Sequence, residues 1–495
     1  MLTALLTSIL AAPVILEGEL PAGDPAFVMI PFDVPAGTVE IEIAHPRQQP
    51  ENILDYGVFD QNGFRGWGGG NSEPFVLNAG AASRSYLPGP ITPGTWQVVI
   101  GKAKIVVSPA RYRLEIETRS FATLPAQTVR APFQPTQLKN EKRWYAGDFH
   151  VHSRESGDAE PTADAIALFA AMRGLDFVEL SEHNTTASVS WLNDVQSRHP
   201  NLLLIPGVEF TTYSGHANGI GATQYVDHRF GLNGNSIDTA LAAFATQDVV
   251  FAINHPLLDL GTTCIGCAWK HKIPRDQLGA VEIGTGGWDK TGVLFTKQAI
   301  PWWERLVAQG IKAAPIGGSD DHSGGTGTGM FDSAIGSPTT MVFATGLSPS
   351  EIVAGVRAGH TVVKLQGPDD PMIDLRVNDS NRSADKSAGA IVGDEVLAST
   401  ATMTVNVTNG SGATLVVLRD GAEFKTYEVA GADETFTEQL EQGGRFRAEV
   451  RIAGEPRTVT SNLWVSIVEK PQSCATAPGE LVVLLFVFLR RRRER

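Results

Sequence analysis

The alternation of apolar and polar residues divides the chain into regions with different predicted structures. Residues 14–125 contain short, partly alternating runs such as Val39 to Ile43 and Trp96 to Ile100, separated by Pro/Gly turns. That spacing predicts a β-sandwich, and no catalytic constellation is visible in it. Residues 126–143 are rich in proline and polar residues and are predicted to be a linker.

Between residues 144 and 367 the pattern becomes strand, loop and helix in repetition, which predicts a mostly parallel sheet. Helices are predicted over Thr162 to Arg173, Ser188 to Arg198, Ser236 to Thr246, Pro301 to Gln309 and Ser348 to Gly359. Strands are predicted to end at His152, His183, Glu209, Gly219, His255, Gly284 and Gly318. Because most of these ends carry polar residues, we expect a closed barrel with its site at the carboxyl ends of the strands. An open doubly wound sheet is the alternative.

Residues 368–470 return to short β-type runs, such as Ala401 to Val407 and Phe446 to Val450. They predict a second, smaller β-sandwich. A chain of 495 residues suggests roughly three domains. The predicted fold class is therefore α/β, with a barrel flanked by N-terminal and C-terminal β-sandwich domains.

Both ends of the chain resemble targeting segments. Residues 1–12 form a short apolar run that ends in small residues, as a signal peptide does, although no basic region precedes it. Residues 474–495 contain Cys474, a short apolar run and an arginine cluster, an order that resembles C-terminal sorting tails of the myxobacterial type. The alternative is a frayed tail, since the run is too short to span a bilayer. We expect an exported protein, secreted or anchored in the cell envelope.

Charge and cysteine content narrow the function classes further. The formal net charge of −14 argues against a broad nucleic-acid-binding surface. Three cysteines are too few for a disulfide scaffold. The pair Cys264 and Cys267 is predicted to form a local disulfide rather than a metal knuckle, because no second cysteine pair exists.

Candidate metal ligands follow successive predicted strands. His150 and His152 lie two residues apart in a strand, so their side chains face the same side and can grip one ion. The further candidates are Asp158, His183, Glu209, His216, His255, Asp320 and His322. Imidazole and carboxylate ligands suit Zn, Mn or Fe, and this set exceeds what one tetrahedral ion can use. We therefore expect two or three divalent ions, with Glu209 bridging two of them.

The order of these motifs resembles that of the PHP (polymerase and histidinol phosphatase) metallohydrolases. Along the chain the motifs are H-V-H-S with a later Asp, S-E-H-N, G-V-E, G-H-A-N-G-I-G, N-H-P and G-S-D-D-H. The runs Tyr86 to Ile91 and Trp303 to Leu306 look like the CehA/McbA branch. The resemblance implies a distorted (β/α)7 barrel. It also implies one metal held by His150, His152, Glu209 and Asp320, with Asp158, His183, His216, His255 and His322 serving the others. The family often has Thr-Asp-His where this chain has Ser181-Glu182-His183, which leaves the role of Glu182 open.

These observations predict a metal-dependent hydrolase, a PHP-type phosphoesterase, that activates water with a multinuclear centre and acts on a small-molecule ester or phosphoester. Glu209, Asp320 and His322 are the predicted catalytic residues, and either His322 or an unligated water would protonate the leaving group. One alternative is an aryl ester or carbamate hydrolase, for which Trp269, Trp288, Trp302 and Trp303 would form an apolar wall. The other is a surface-anchored, non-catalytic metal- or ligand-binding protein.

Overall fold

The computed structural model describes residues 12–288, 292–330, 332–379 and 389–468. The predicted signal segment, apart from Ala12, and the whole predicted tail from residue 474 lie outside this range. Within it, no helix is both long and apolar enough to cross a membrane. The architecture is mixed α/β, with many strands and few helices.

The N-terminal region packs two four-stranded antiparallel sheets face to face, in the orders β1-β8-β3-β6 and β2-β7-β4-β5. The strands are β1 Val14–Leu20, β2 Phe27–Val34, β3 Glu40–Ala44, β4 Ile53–Asp60, β5 Gly63–Gly69, β6 Phe75–Asn78, β7 Gly94–Lys104 and β8 Ala110–Arg119. Alternate residues such as Ile41, Ile43, Trp96 and Val98 point between the sheets and are completely buried. Their period of two is the pattern that the sequence shows for these runs.

The central region is built on strands that are neighbours in the order β15-β14-β13-β12-β11-β10-β9-β16-β17. They are β9 Arg143–Asp148, β10 Phe177–His183, β11 Leu203–Thr212, β12 Gly215–Ile220, β13 Val250–Ile253, β14 Leu278–Thr285, β15 Ala314–Gly318, β16 Thr339–Ala344 and β17 Thr361–Lys364. The segments that follow β9 and β15 lie side by side. Val151 pairs in parallel with Asp321, and the N–H of Asp320 donates to the carbonyl of His150 at 2.8 Å. The sheet thus closes at the end where the candidate ligands lie.

The prediction of a mostly parallel sheet does not hold at β12. This strand runs antiparallel to both β11 and β13. Only Tyr213 and Ser214 separate it from β11. A parallel connection needs a crossover of about a dozen residues, so a two-residue turn leaves only the antiparallel hairpin.

In the described part of the chain, five α-helices pack against this sheet: α1 Ala163–Met172, α2 Leu192–Arg198, α3 Ile237–Ala245, α4 Gly292–Ala308 and α5 Pro349–Arg357. Thr162, Ser236 and Ser348, the first residues of three predicted helices, each cap their helix by accepting a hydrogen bond from its first turn. The predicted start of α4 at Pro301 is wrong. The helix already begins at Gly292, and Pro301 is accommodated inside it.

The C-terminal strands form one separate sheet, in the order β19-β18-β21-β24, and extend the central sheet through pairing of β17 with β26. The strands are β18 Met372–Asp379, β19 Ala390–Ile391, β20 Glu395–Ala398, β21 Ala401–Thr408, β22 Ala413–Arg419, β23 Ala422–Val429, β24 Glu434–Leu440, β25 Gly444–Ile452, β26 Glu455–Thr460 and β27 Leu463–Ile467. A core that includes Val405, Leu415 and Phe446 lies between the two layers.

Candidate metal centre

The closed end of the central sheet brings all of the predicted ligands into one connected cluster. His150 and His152 follow β9, His183 ends β10, Glu209 lies in β11, His216 lies in β12, His255 follows β13, and Asp320 and His322 follow β15. Asp158 lies in the turn that follows the H-x-H motif. Every member has an ionisable atom within 4.0 Å of another member.

Glu209 lies at the centre of this cluster and is completely buried. Its Oε1 atom is 3.3 Å from His150 Nε2, 3.3 Å from His216 Nδ1 and 3.2 Å from His255 Nε2. Its Oε2 atom is 2.7 Å from His183 Nδ1. The two carboxylate oxygens therefore face different imidazoles, as a carboxylate that bridges two ions requires.

Asp320 faces the two histidines of the H-x-H motif. Its Oδ1 atom lies 3.2 Å from Nε2 of His150 and 3.2 Å from Nε2 of His152. Both nitrogens are buried, and within the described residues neither makes a hydrogen bond of acceptable geometry. A buried polar atom without a partner is costly, and a divalent ion would satisfy both of these nitrogens. The donor set therefore fits a metal ion.

Asp158, His183 and His322 form the open side of the cluster. Asp158 Oδ2 lies 3.2 Å from His183 Nε2 and 3.5 Å from His322 Nε2. The side chain of Asp158 is 54% exposed, whereas that of Glu209 is 1% exposed. His152, His183 and His322 also have ligand atoms within 4.8 Å of one another. This side is where a substrate can meet the centre.

Electrostatics favour the metal-binding protonation state at two of the candidate ligands, Glu209 and His152. Burial raises the pKa of Glu209, but His150 and His183 outweigh it and hold that pKa well below its usual range. Burial, together with the nearby His322 and His183, lowers the pKa of His152 to about 3. A carboxylate anion and a neutral imidazole are the protonation states that ligate divalent ions.

Two candidate ligands lie on backbone conformations that residues other than glycine rarely adopt. The φ angle is +54° at Asp320 and +25° at His255. Such positions cost about 1–3 kcal/mol each and cluster at functional sites, where the surrounding structure enforces them. Here they fall at the ends of β15 and β13, where the chain turns beside the cluster.

Glu182 lies outside the cluster, on the opposite face of β10 from His183. Its oxygens accept the N–H of Ser153 at 3.1 Å and the Ser153 hydroxyl at 2.6 Å. Burial raises its pKa to about 8. Glu182 therefore supports the turn after the H-x-H motif and does not act as a ligand.

Glu282 in β14 is a functional side chain that the sequence reasoning missed. It is buried, its Oε1 lies 3.2 Å from His150 Nδ1, and its Oε2 accepts the N–H of His255 at 2.7 Å. One carboxylate thereby orients one ligand through its ring and another through its main chain. The only signal in the sequence is a charged residue between Val281 and Ile283, inside an apolar strand.

We expect Glu282→Gln to lower the affinity for a divalent ion by about 10–100-fold, because the amide keeps the shape but loses the charge that holds His150. Competition with a chelating dye measures this affinity. Glu182→Gln is the matched control, since it changes an equally buried glutamate next to the cluster. Equal affinities for Glu282→Gln and wild type would contradict the orienting role.

The structure pairs Cys264 with Cys267 in a disulfide, in the loop between β13 and β14. The carbonyl oxygen of Ile265 is 3.2 Å from His216 Nε2, and that of Cys267 is 3.3 Å from His255 Nδ1. A main-chain carbonyl that accepts a hydrogen bond from the second ring nitrogen fixes the tautomer and orientation of a ligating histidine. The disulfide loop therefore helps to hold the rings of two candidate ligands, His216 and His255, in position.

Reduction of this disulfide is expected to weaken divalent-ion binding by about 10-fold, because the two carbonyls are no longer held in place. The double variant Cys264→Ser/Cys267→Ser should show the same loss without reductant. Cys474→Ser is the control and should keep the affinity of the oxidised wild type. An affinity that ignores both reductant and the double variant would rule out this role.

A cavity of ≈ 770 Å³ lies above the cluster, between the N-terminal sandwich and the central sheet. Apolar side chains on its wall are Ile53, Trp67, Leu258, Leu260, Ile265 and Phe295. Among the described lining residues, none is lysine or arginine. The predicted wall of Trp269, Trp288, Trp302 and Trp303 is wrong. Trp303 is completely buried in the core, and the other three pack against that same core.

Comparison with known proteins finds similarity at the level of solved structures. No family model matches the chain, and no curated protein matches it. A two-domain protein from Bacteroides vulgatus, described as containing a predicted PHP-like metal-dependent phosphoesterase, is 19% identical, with a TM-score of 0.38; the match covers 68% of this chain and 99% of that one. A protein from Bifidobacterium adolescentis, proposed to be a metal-dependent phosphoesterase, is 12% identical, with a TM-score of 0.27; the match covers 38% of this chain and 91% of that one.

Neither description mentions the CehA/McbA branch, which stays a prediction. The function proposed below rests on the ligand cluster itself. In its ligand motifs, and in the solved structures found for it, this chain is similar to PHP-like metal-dependent phosphoesterases.

Proposed function

We propose that this protein is a metal-dependent hydrolase that cleaves ester bonds of a small molecule, with a phosphoester as the first candidate substrate. The observation that carries the proposal is the position of Glu209, whose two oxygens face separate groups of imidazoles. Divalent ions held there would supply an activated water and stabilise negative charge that develops on the substrate. Two or three ions of Zn, Mn or Fe suit this donor set.

The side chains of the protein define where the substrate would sit. The buried ligands form the floor, and Asp158, Asp320 and His322 border the cavity above it. Burial lowers the pKa of His322, but Asp158 and Asp320 outweigh it and raise that pKa to about 9. The ester group that reacts would lie against the open side formed by these residues. The rest of the substrate would lie along the cavity wall that the sandwich forms.

An aryl ester or carbamate is the second candidate, and the lining of the cavity favours it. A phosphomonoester carries negative charge that proteins commonly pair with arginine or lysine. The described lining offers neither residue, while Trp67 and Phe295 supply apolar surface. Bound ions would have to neutralise the whole charge of a phosphate, whereas a neutral ester would not need that compensation.

The full-length protein, reconstituted with Mn or Zn, should be assayed on four p-nitrophenyl substrates: the phosphate, a phosphodiester, the acetate and the methylcarbamate. Turnover of the phosphate or phosphodiester would support the first candidate, and turnover of only the acetate or methylcarbamate would support the second. Absence of turnover on all four, with metal bound, would contradict the hydrolase proposal. It would favour the non-catalytic, surface-anchored binding protein.

We further propose that the protein is exported to an oxidising compartment. The disulfide between Cys264 and Cys267 supports this, since disulfides persist mainly outside the cytosol. Envelope anchoring would depend on residues 474–495. Deletion of that segment should release the protein from the envelope fraction if the tail is an anchor, and should leave its location unchanged if it is not.

A further inference from the structure

The N-terminal sandwich contributes a carboxylic acid to the wall of the cavity above the metal centre. Asp55 lies in β4, and its Oδ2 atom accepts the hydroxyl of Tyr213 at 2.7 Å. Tyr213 belongs to the two-residue turn between β11 and β12, which carry Glu209 and His216. The contact therefore links the sandwich directly to the hairpin that holds two candidate ligands.

The Asp55–Tyr213 contact is part of the packing between the sandwich and the central sheet. The Tyr213 ring stacks on Phe27, with 5.3 Å between centroids and 11° between ring planes. A Cβ atom at Gly101 would come within 2.2 Å of the Tyr213 hydroxyl oxygen, so only glycine leaves room for it there. Within the described residues, the Tyr213 hydroxyl is the hydrogen-bond partner of Asp55.

Other ionisable groups on the cavity wall have different roles or lack a proton that they could donate near neutral pH. Those in the metal cluster are Asp158, His183, Glu209, His216, His255, Asp320 and His322. Burial lowers the pKa of His228 to about 3, so it carries no acidic proton near neutral pH. Asp332 accepts a main-chain and a hydroxyl hydrogen bond within its own loop. Burial and the neighbouring Asp55 raise the pKa of Tyr213 well above its usual range.

Asp55 differs from these groups in both its position and its pKa. It faces the cavity from the sandwich side, outside the ligand cluster. Burial raises its pKa to about 6, against the opposing effect of the Tyr213 hydroxyl. A carboxyl group with a raised pKa in a catalytic cleft is suited to give a proton at neutral pH.

We propose that Asp55 is the general acid that protonates the leaving-group oxygen, an inference that rests on the proposed ester hydrolase function. The oxygen of a water molecule bonds to the phosphorus or carbonyl carbon, and the bond from that atom to the leaving oxygen breaks. The leaving oxygen takes the proton of Asp55 together with the electron pair of the broken bond. The proton lost by the attacking water reloads Asp55, so one water is consumed and no other reactant is needed.

The test compares leaving groups that need a proton with leaving groups that do not. Phenyl and p-nitrophenyl esters of the same acid are assayed with wild type, Asp55→Asn and Asp33→Asn. Asp33 is an exposed residue of β2 in the same sheet and serves as the control. Metal content is measured for each variant, because an intact centre separates loss of a proton donor from loss of the ions.

Asp55→Asn is expected to lower turnover of the phenyl ester by about 100-fold or more, because general acid catalysis contributes 10²–10⁴-fold. Turnover of the p-nitrophenyl ester should stay within a few-fold of wild type, since that leaving group departs without a proton. Asp33→Asn should match wild type on both esters, and all three proteins should hold the same number of ions.

An equal loss on both esters with full metal content, or no loss on either, would overturn the assignment of Asp55. If Asp55→Asn does not fold, the leaving-group dependence of wild type decides the question. A rate that falls steeply as the leaving group becomes more basic would contradict proton donation, and a shallow dependence would support it. Absence of turnover on every ester would instead overturn the hydrolase function, and the role of Asp55 with it.

Discussion

Glu209→Gln is expected to lower ester hydrolysis by at least about 100-fold, since loss of even an outer partner of a ligand costs 10–100-fold. The amide keeps one acceptor oxygen and replaces the other with an NH₂ group, which cannot ligate a cation. Glu209 Oε1 faces His216 and His255, while Oε2 faces His183. Either orientation of the amide therefore leaves one group of imidazoles without its carboxylate oxygen.

Glu182→Gln is the matched control for this experiment. Glu182 is as deeply buried as Glu209, but burial raises its pKa to about 8, so glutamine resembles the protonated form that it holds at neutral pH. We expect this control to keep activity within a few-fold of wild type. Normal turnover by Glu209→Gln with a normal metal content would contradict a role of Glu209 in metal binding and catalysis.

Removal of divalent ions is expected to lower the stability of the folded protein. Without an ion, the ring nitrogens His150 Nε2 and His152 Nε2 lie buried without a hydrogen bond among the described residues. An ion that binds the native state alone and is present at 100 times its dissociation constant adds about 2.7 kcal/mol to the free energy of unfolding. The melting temperature should therefore rise with the concentration of free Mn or Zn.

Thermal unfolding at a series of buffered metal concentrations measures this effect. Glu209→Gln should show a smaller rise in melting temperature than wild type, and Glu182→Gln should follow wild type. A melting temperature that does not respond to either metal, in protein first treated with a chelator, would show that the cluster binds no ion.

Most of the ligand cluster could be predicted because its members, apart from Asp158 and His216, follow runs of apolar residues that are recognisable as strands. The carboxyl ends of such strands meet at one end of the sheet, so His183, Glu209 and Asp320 could be placed together without long-range information. The helix caps at Thr162 and Ser348 were predictable for a similar reason, since a cap is a local pattern.

The direction of β12 and the partners of the cluster were harder to predict. Alternation of apolar residues has the same period in parallel and antiparallel strands, so only the short turn at Tyr213 and Ser214 marks the hairpin. Glu282 sits in an apolar strand, where a buried ion pair and an orienting carboxylate look alike. Asp55 comes from another domain, and its approach to the site depends on packing around Tyr213 that no local pattern encodes.

The N-terminal sandwich forms part of the wall of the cavity above the candidate metal centre. Trp67 and Asp55 border the cavity, and Tyr213 carries the contact between the two regions. A sequence pattern that predicts only a sandwich gives no sign of this, because the cavity-facing residues Ile53 and Asp55 alternate with other sandwich residues along β4. The substrate would therefore be enclosed by two parts of the chain.

The most direct test of a multinuclear metal centre is the number of divalent ions per chain. It is measured by elemental analysis while metal-free protein is titrated with metal and its activity is assayed in parallel. We expect activity to rise with metal and to reach its maximum at two or three ions per chain, with fewer ions and no comparable activity in Glu209→Gln. Full activity in metal-free protein, or saturation of wild type below two ions per chain, would contradict a multinuclear centre built around Glu209.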